Sequence, residues 1–173
     1  MGGCTMTNQQ KLIQLFGNPL QSPIDRELFE KQCMMVLNYP ADIRMKIPAL
    51  GKSVYCNKLI EKPLVASLRE LIKRNLHTEI KENDQCFLPR YQRGSTTQIS
   101  IHTWALAVDF NPTQNPIYKT RQQCIDAGLT PFTPEFVQTW RDMDWVVGED
   151  FPGRPDLMHV EWTKFLNETQ NPQ

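Results

Sequence analysis

The chain carries no excess of either charge. Its 173 residues include 19 lysines and arginines, which balance 19 aspartates and glutamates, and no block of like charges occurs. A protein that holds nucleic acid needs a basic surface that neutralises phosphates. The composition therefore gives no support to nucleic-acid binding.

The cysteines supply neither a disulfide framework nor a metal-binding pair. The five positions, which are odd in number and include no C-x-x-C pair, are Cys4, Cys33, Cys56, Cys86 and Cys124. This scatter is typical of free, buried thiols. We therefore expect synthesis in a reducing compartment.

Long apolar runs are also missing. No stretch approaches the ~18 apolar residues that identify a membrane-spanning helix. The first residues lack the basic region and apolar core of a signal peptide. We therefore expect cytoplasmic synthesis and no membrane partner. The chain length is typical of a single domain, which would cover residues 1–173. We also expect this domain to be a monomer.

Apolar periodicity predicts helices in the first half of the chain. Ser22 and Pro23 have the character of an N-cap and a first helical residue, which predicts a helix over residues 22–37. Leucines spaced by three and four residues predict a second helix over residues 63–79. Residues 1–80 are thus expected to be mainly helical, with no role assigned to them.

Short β segments are expected around and after these helices. The predicted strands are residues 44–47, 53–56, 86–88, 98–100, 106–110, 145–147 and 157–162. A capped helix is predicted over residues 133–143. Helices followed by short strands are typical of an α+β domain. We therefore expect N-terminal helices packed on a small antiparallel sheet.

His102 and His159 each share a short segment with a carboxylate in the second half of the chain. His102 and Asp109 share one short segment, and His159 follows Asp156 by three residues. Two imidazoles and one carboxylate make a three-ligand zinc set that leaves the fourth position of the metal open to water, as in catalytic sites. Asp156 stands where a general base could reach that water.

The spacing of His102 and Asp109 demands a bend. An odd separation of seven residues sends two side chains to opposite faces of a straight strand. Both side chains can reach one metal only if the chain turns between them. We expect that turn at residues 103–105.

Glu161 leaves the assignment of the carboxylates open. It lies two residues after His159, so that both should share one strand face. It is therefore a rival to Asp156 as base and to Asp109 as ligand. Otherwise Glu161 orients a histidine or is solvated. The loop position of Asp156 favours that residue as the base.

These motifs resemble the zinc D,D-carboxypeptidase and L-alanyl-D-glutamate peptidase family, which includes D-Ala-D-Ala dipeptidases and phage endolysins. The family pattern is Ser-x-His-x-x-Gly-x-Ala-x-Asp, followed near the C-terminus by an acidic residue-x-x-His. The matching residues are Ser100, His102, Ala107, Asp109, Asp156 and His159. The resemblance covers residues 86–162. Ala105 replaces the family glycine, which adds a methyl group at the expected turn.

The resemblance implies a zinc metallopeptidase with three metal ligands, a general base and an arginine that stabilises the oxyanion of a tetrahedral intermediate. In that order these residues are His102, Asp109, His159, Asp156 and Arg90. Arg93 lies in the same loop and is the alternative to Arg90, although its position matches the family less well.

Three further residues are expected to support this site. Ser100 would either bond to substrate or tie the metal loop, and the second role is favoured. Trp104 is the tryptophan expected to contact substrate, although tryptophans more often pack in a core. Glu161 is expected beside a metal-binding histidine.

The implied substrate is a peptidoglycan stem peptide, cut between L-Ala and D-Glu by an endolysin that acts on the cell wall after release from the cytoplasm. The absence of a signal peptide and the arginine–glycine loop favour this branch of the family. A D,D-carboxypeptidase or D-Ala-D-Ala dipeptidase is one alternative. A non-catalytic relative that binds wall or protein is another, although such a relative would not need Asp156.

Overall fold

A computed structural model describes residues 6–168, which form helices, 3₁₀ turns and two small antiparallel sheets. The α-helices are α1 Asn8–Phe16, α2 Pro23–Cys33, α3 Ala41–Lys46, α4 Glu61–Lys73, α5 Arg121–Asp126, α6 Pro134–Asp142 and α7 Phe165–Glu168. The strands are β1 Met34–Asn38, β2 Ser53–Asn57, β3 Ala107–Asp109, β4 Val146–Val147 and β5 His159–Glu161. The α+β prediction is confirmed.

Side-chain caps begin several helices where the sequence predicted them. The hydroxyl of Ser22 accepts the backbone N–H of Asp25 at the start of α2, and Thr133 accepts Phe136 N–H at the start of α6. Each cap satisfies a backbone donor that has no partner inside its helix. Helix α1, for which no boundaries were predicted, begins with a capping box between Thr7 and Gln10.

Four predicted elements were wrong. Neither residues 86–88 nor residues 98–100 form a strand, and Ile99 makes only an isolated bridge with Tyr91. The helix predicted over residues 22–37 ends at Cys33, because the next five residues form β1 and pair with β2. The strand predicted over residues 44–47 is largely helix α3, and Met45 is 77% exposed, so the alternation there marks no buried sheet face. At the end of α2, the pairing of β1 with β2 outweighs the local preference for helix.

The buried apolar side chains form one contiguous core, whose members come from sequence positions between Leu12 and Leu166. Three leucines of α4 supply its centre, since Leu64, Leu68 and Leu71 expose none of their surface. Fully burying one such side chain contributes about 1.5–3 kcal/mol to stability. Helix α4 ends at Lys73, earlier than predicted, and a 3₁₀ turn at His77–Glu79 follows.

The second sheet positions the candidate site. Its order is β3-β5-β4, with β5 in the centre and all pairs antiparallel. The register sets Asp109 opposite His159 and Ala107 opposite Glu161. The pairing therefore brings together residues that lie fifty positions apart in the chain.

The structure describes four of the five cysteines and the lengths of the helices. Cys33, Cys56, Cys86 and Cys124 are free, and all except the half-buried Cys33 are buried; Cys4 lies outside the described residues. Over residues 6–168, no helix combines the length and the apolar character needed to cross a membrane.

Asn57, which is buried at the end of β2, ties the N-terminal half to the chain before β3. Its side-chain amide donates to the carbonyl of Trp104 at 3.1 Å, and its backbone N–H donates to that of Ala105 at 3.2 Å. Its side-chain oxygen accepts the N–H of Leu59 at 3.0 Å.

We expect Asn57→Ala to lower the free energy of unfolding by about 2–3 kcal/mol, because it leaves a buried carbonyl without its donor. Denaturant unfolding measures the change. Asn38→Ala, which truncates an exposed asparagine of the same two-stranded sheet, is the control and should change stability by less than about 0.5 kcal/mol. Equal losses in the two variants would contradict the role given to Asn57.

Candidate metal centre

The chain turns between His102 and Asp109 as the spacing requires. A 3₁₀ turn covers Ile101–Trp104, and Ala105 then adopts φ 51° and ψ 39° before β3 begins. This left-handed conformation costs a residue with a Cβ about 1–2 kcal/mol. The carbonyl of Ala105 accepts bonds from the backbone of Asn57 and the thiol of Cys86, which hold the turn in place.

The turn brings three buried side chains to one point. His102 Nε2 lies 3.2 Å from His159 Nδ1 and 3.2 Å from Asp109 Oδ1. His159 Nδ1 lies 3.0 Å from the same carboxylate oxygen. The three residues form a group whose ligand atoms could hold a metal ion.

This triangle fits a tetrahedral metal. Zinc binds nitrogen and oxygen ligands at ~2.0–2.1 Å, which places tetrahedral ligand atoms about 3.3 Å apart. The outer nitrogens also have acceptors: His102 Nδ1 lies 3.1 Å from the carbonyl of Cys86, and His159 Nε2 lies 3.1 Å from Glu161 Oε2. When the outer nitrogens donate these bonds, the inner ones present lone pairs to a metal.

The charges of the group also favour a cation. Burial opposes the charge of Asp109, but hydrogen bonds from His102 and His159 outweigh it and hold the pKa of this carboxyl well below its ordinary value. Burial likewise opposes a charge on His159, yet bonds to Asp109 and Glu161 raise the pKa of the imidazole to about 10. A proton is therefore retained where a metal would bind.

Asp156 stands beside this group in the turn before β5. Its backbone N–H donates to the carbonyl of Gly148 at 2.9 Å, and its carbonyl accepts the N–H of His159 at 3.1 Å. Burial, with a smaller contribution from Asp109, raises the pKa of its carboxyl to about 6. Within the described chain its buried Oδ1 atom has no hydrogen-bond partner. Such an atom indicates a group or water that the site would hold.

Gly148 permits this approach, and sequence reasoning missed it. A Cβ built on Gly148 would lie 2.3 Å from the carbonyl oxygen of Asp156 and 3.0 Å from the Cβ of His159. No side chain fits there without displacing backbone. The sequence signal for this role is weak, because it is a single glycine directly after the buried end of β4.

The group opens into a cleft of about 530 Å³, whose lining includes Arg90, Arg93 and Asp156. The backbone of Arg90 is tied to the metal turn, because its N–H donates to the hydroxyl of Thr103 and its carbonyl accepts the N–H of Ser100, both at 3.0 Å. Arg93 is exposed, and its charge lowers the pKa of Asp156 against the larger effect of burial.

Ser100 and Trp104, the two residues considered for substrate contact, are both buried. Ser100 is buried, and its backbone N–H and carbonyl join Arg90 and Thr103, which agrees with tying the loop. Trp104 reaches the floor of the cleft but is 0% exposed, and its indole N–H donates to the carbonyl of Gly17 at 3.0 Å. The surface of Trp104 is thus used in packing, and its contact with substrate stays a prediction.

Glu161 lies at the site as a partner of His159. It is 9% exposed, and Thr163 donates to its second oxygen at 3.3 Å. The geometry favours the orienting role over the solvated one, because its bond reaches the outer nitrogen of His159.

Comparison with known proteins identifies the segment that carries this group. Residues 93–162 match the family model described as D-alanyl-D-alanine carboxypeptidase. This match supports the M15-type peptidase family and confirms the resemblance seen in the motifs. Neither the curated proteins nor the solved structures gave a match. The match and the metal group together indicate a peptidase, which would act on a peptide substrate.

We expect Gly148→Ala to lower metal affinity by about tenfold or more, because the added methyl group must displace Asp156 or His159. Metal titration followed by calorimetry measures this. Gly153→Ala, in the same loop, is the control: its φ is +69°, but its Cβ would meet nothing within 4 Å. It should lose stability without losing affinity, and similar affinity losses in both variants would refute the argument.

Metal binding at pH 8 should release about one proton from His159. Its pKa in the metal-free protein is about 10, so the imidazole is charged at pH 8, whereas one with an ordinary pKa of about 6.5 would be neutral. A metal can bind only the deprotonated ring. Calorimetry in buffers of different ionisation enthalpy counts the released protons. A pH dependence of this release with the ordinary histidine pKa of about 6.5 would contradict the raised pKa of His159.

Proposed function

We propose that this chain is a zinc metallopeptidase that hydrolyses a peptide bond of peptidoglycan stem peptides, and that residues 1–173 form one peptidase domain. The observation that carries the proposal is the buried group of His102, Asp109 and His159 beside the unpartnered carboxylate of Asp156. Two imidazoles and one carboxylate with a free fourth position are typical of catalytic zinc.

Asp156 is the general base of the proposed reaction. Zinc, when bound by His102, Asp109 and His159, would polarise the scissile carbonyl and lower the pKa of a water molecule in the cleft. Asp156 accepts a proton from the attacking water at its free Oδ1 and returns it to the leaving amine. Its position on the turn before His159 keeps that oxygen beside the ligand group.

The proposed roles of Arg90 and Glu161 are electrostatic. Arg90 stabilises the oxyanion that forms when the carbonyl is attacked, and its backbone ties to Thr103 and Ser100 hold its loop against the metal turn. Glu161 accepts a hydrogen bond from the outer nitrogen of His159, which keeps the inner nitrogen free for the metal.

The proposed bond is that between L-Ala and D-Glu, as in an endolysin that reaches the cell wall after release. The support is the arginine–glycine loop from Arg90 to Gly94, which resembles the endolysin branch, together with the size of the cleft. An endopeptidase must seat a chain that continues on both sides of the bond.

A D,D-carboxypeptidase or D-Ala-D-Ala dipeptidase is the second candidate. The matched family model carries that description. Such an enzyme needs a cation for the free carboxylate of its substrate, and arginines line the cleft.

Incubation of the zinc-loaded protein with intact sacculi and with free D-Ala-D-Ala, followed by mass analysis of the products, tests the proposal. We expect clearing of the sacculi and new N-terminal D-Glu peptides. Release of D-Ala without clearing would favour the second candidate, and no product from either substrate would contradict a wall peptidase.

We expect Asp156→Asn to retain zinc and to lose roughly 10²–10⁴-fold in kcat, as the removal of a general base does. Glu161→Gln should instead weaken zinc binding by about 10–100-fold, and excess zinc should restore most of its activity. Zinc content and turnover are measured for both variants. If the Asp156→Asn variant is active, and the Glu161→Gln variant binds zinc fully but is inactive, then Glu161 is the general base and Asp156 is not.

A further inference from the structure

Three loops of the cleft are joined by one arginine that the reaction does not use. Arg154 donates through Nη2 to the carbonyl of Arg93 and to the hydroxyl of Tyr118, both at 2.8 Å. Its guanidinium also lies over the ring of Tyr118, 5.3 Å from the centroid. Arg93, Tyr118 and Arg154 all line the cleft that contains Asp156.

The backbone is strained to make this junction. Tyr118 has a φ of +68°, a conformation that costs a bulky residue about 1 kcal/mol or more. Its backbone N–H donates to the carbonyl of Pro155 at 2.8 Å, directly beside Arg154. The tyrosine is thus held to this loop by both its backbone and its side chain.

The three arginines of the cleft differ from four others in the described chain that are paired with carboxylates. Arg69, Arg74, Arg121 and Arg141 each form an ion pair with a carboxylate. Over residues 6–168, none of Arg90, Arg93 and Arg154 has a carboxylate within ion-pair distance. The Nε and Nη1 atoms of Arg154 have no acceptor in that range either. Guanidinium donors that hydrogen bonds orient and that have no anionic partner are suited to binding a carboxylate.

We propose that Arg154, oriented by Tyr118 and assisted by Arg93, binds a carboxylate of the peptide substrate and so determines specificity. The inference rests on the proposed function, because it takes the cleft to bind a stem peptide. The carboxylate is either the free α-carboxylate of an internal D-Glu or the C-terminal carboxylate of the peptide. Arg90 is left to the oxyanion.

The test compares four forms of the peptide L-Ala-γ-D-Glu-L-Lys-D-Ala-D-Ala: the parent, the D-Glu α-amide, the C-terminal amide and the double amide. Calorimetry measures their binding to zinc-loaded Asp156→Asn protein, which should not turn them over, and kinetics measure kcat and KM with the wild type. We expect one of the two carboxylates to improve binding by about 10–100-fold over its amide, since an arginine bond to a carboxylate is charge-assisted.

Arg154→Gln should reduce that acid-to-amide ratio to about 1–3, and Tyr118→Phe should reduce it partway, because the ring remains and only the hydroxyl acceptor is lost. Arg44→Gln, at an exposed arginine of α3, is the matched control and should keep the full ratio. A purely structural role of Arg154 would weaken acid and amide forms equally and leave the ratio intact, which would overturn the proposal.

The two possible failures are distinguishable. Acid-selective binding that Arg154→Gln abolishes, without cleavage by the wild type, would retain the subsite and refute the peptidase. Cleavage without any acid preference would retain the peptidase and overturn the subsite. Absence of binding by all four peptides would overturn the subsite as well.

Discussion

The site depends on the antiparallel pairing of β3 with β5. This pairing sets Asp109 opposite His159, and the two side chains meet at 3.0 Å. Only a chain reversal can then add His102, which lies seven residues before Asp109. The 3₁₀ turn and the left-handed Ala105 supply that reversal. The backbone strain of one alanine is thus a condition of the three-residue group.

Burial gives this arrangement its chemistry. Asp109, His159 and Glu161 are each less than a tenth exposed, so their charges interact in a medium of low polarity. Asp109 stays ionised and His159 stays protonated because each offsets the desolvation of the other. A divalent cation would replace the proton on the inner nitrogen of His159 and meet the carboxylate of Asp109. The half-buried Asp156 keeps a raised pKa and a free oxygen beside it.

The residues of the metal group could be predicted from sequence because two short segments together match a family pattern, whereas the spacing of His102 and Asp109 alone is a weak signal. The turn at residues 103–105 followed from the odd separation of His102 and Asp109 and is confirmed. Gly148 could not be predicted in the same way, since its need arises from contact with Asp156 across a loop.

The early end of α2 has a similar cause: β1 pairs with β2 across a gap in sequence that no local pattern describes. Trp104 was predicted to contact substrate from its place beside the metal turn, but its indole donates to Gly17 in the distant N-terminal segment. The sequence motifs therefore predicted which side chains meet in the metal group, whereas long-range packing decided which neighbours reach the cleft.

The most direct test of the account is a crystal structure of the zinc-loaded protein with anomalous diffraction data collected at the zinc edge. The account predicts one strong peak about 2.0–2.2 Å from His102 Nε2, Asp109 Oδ1 and His159 Nδ1, with a water as the fourth ligand and Asp156 in contact with that water. A peak elsewhere, or a fourth ligand from the protein that closes the site, would contradict it.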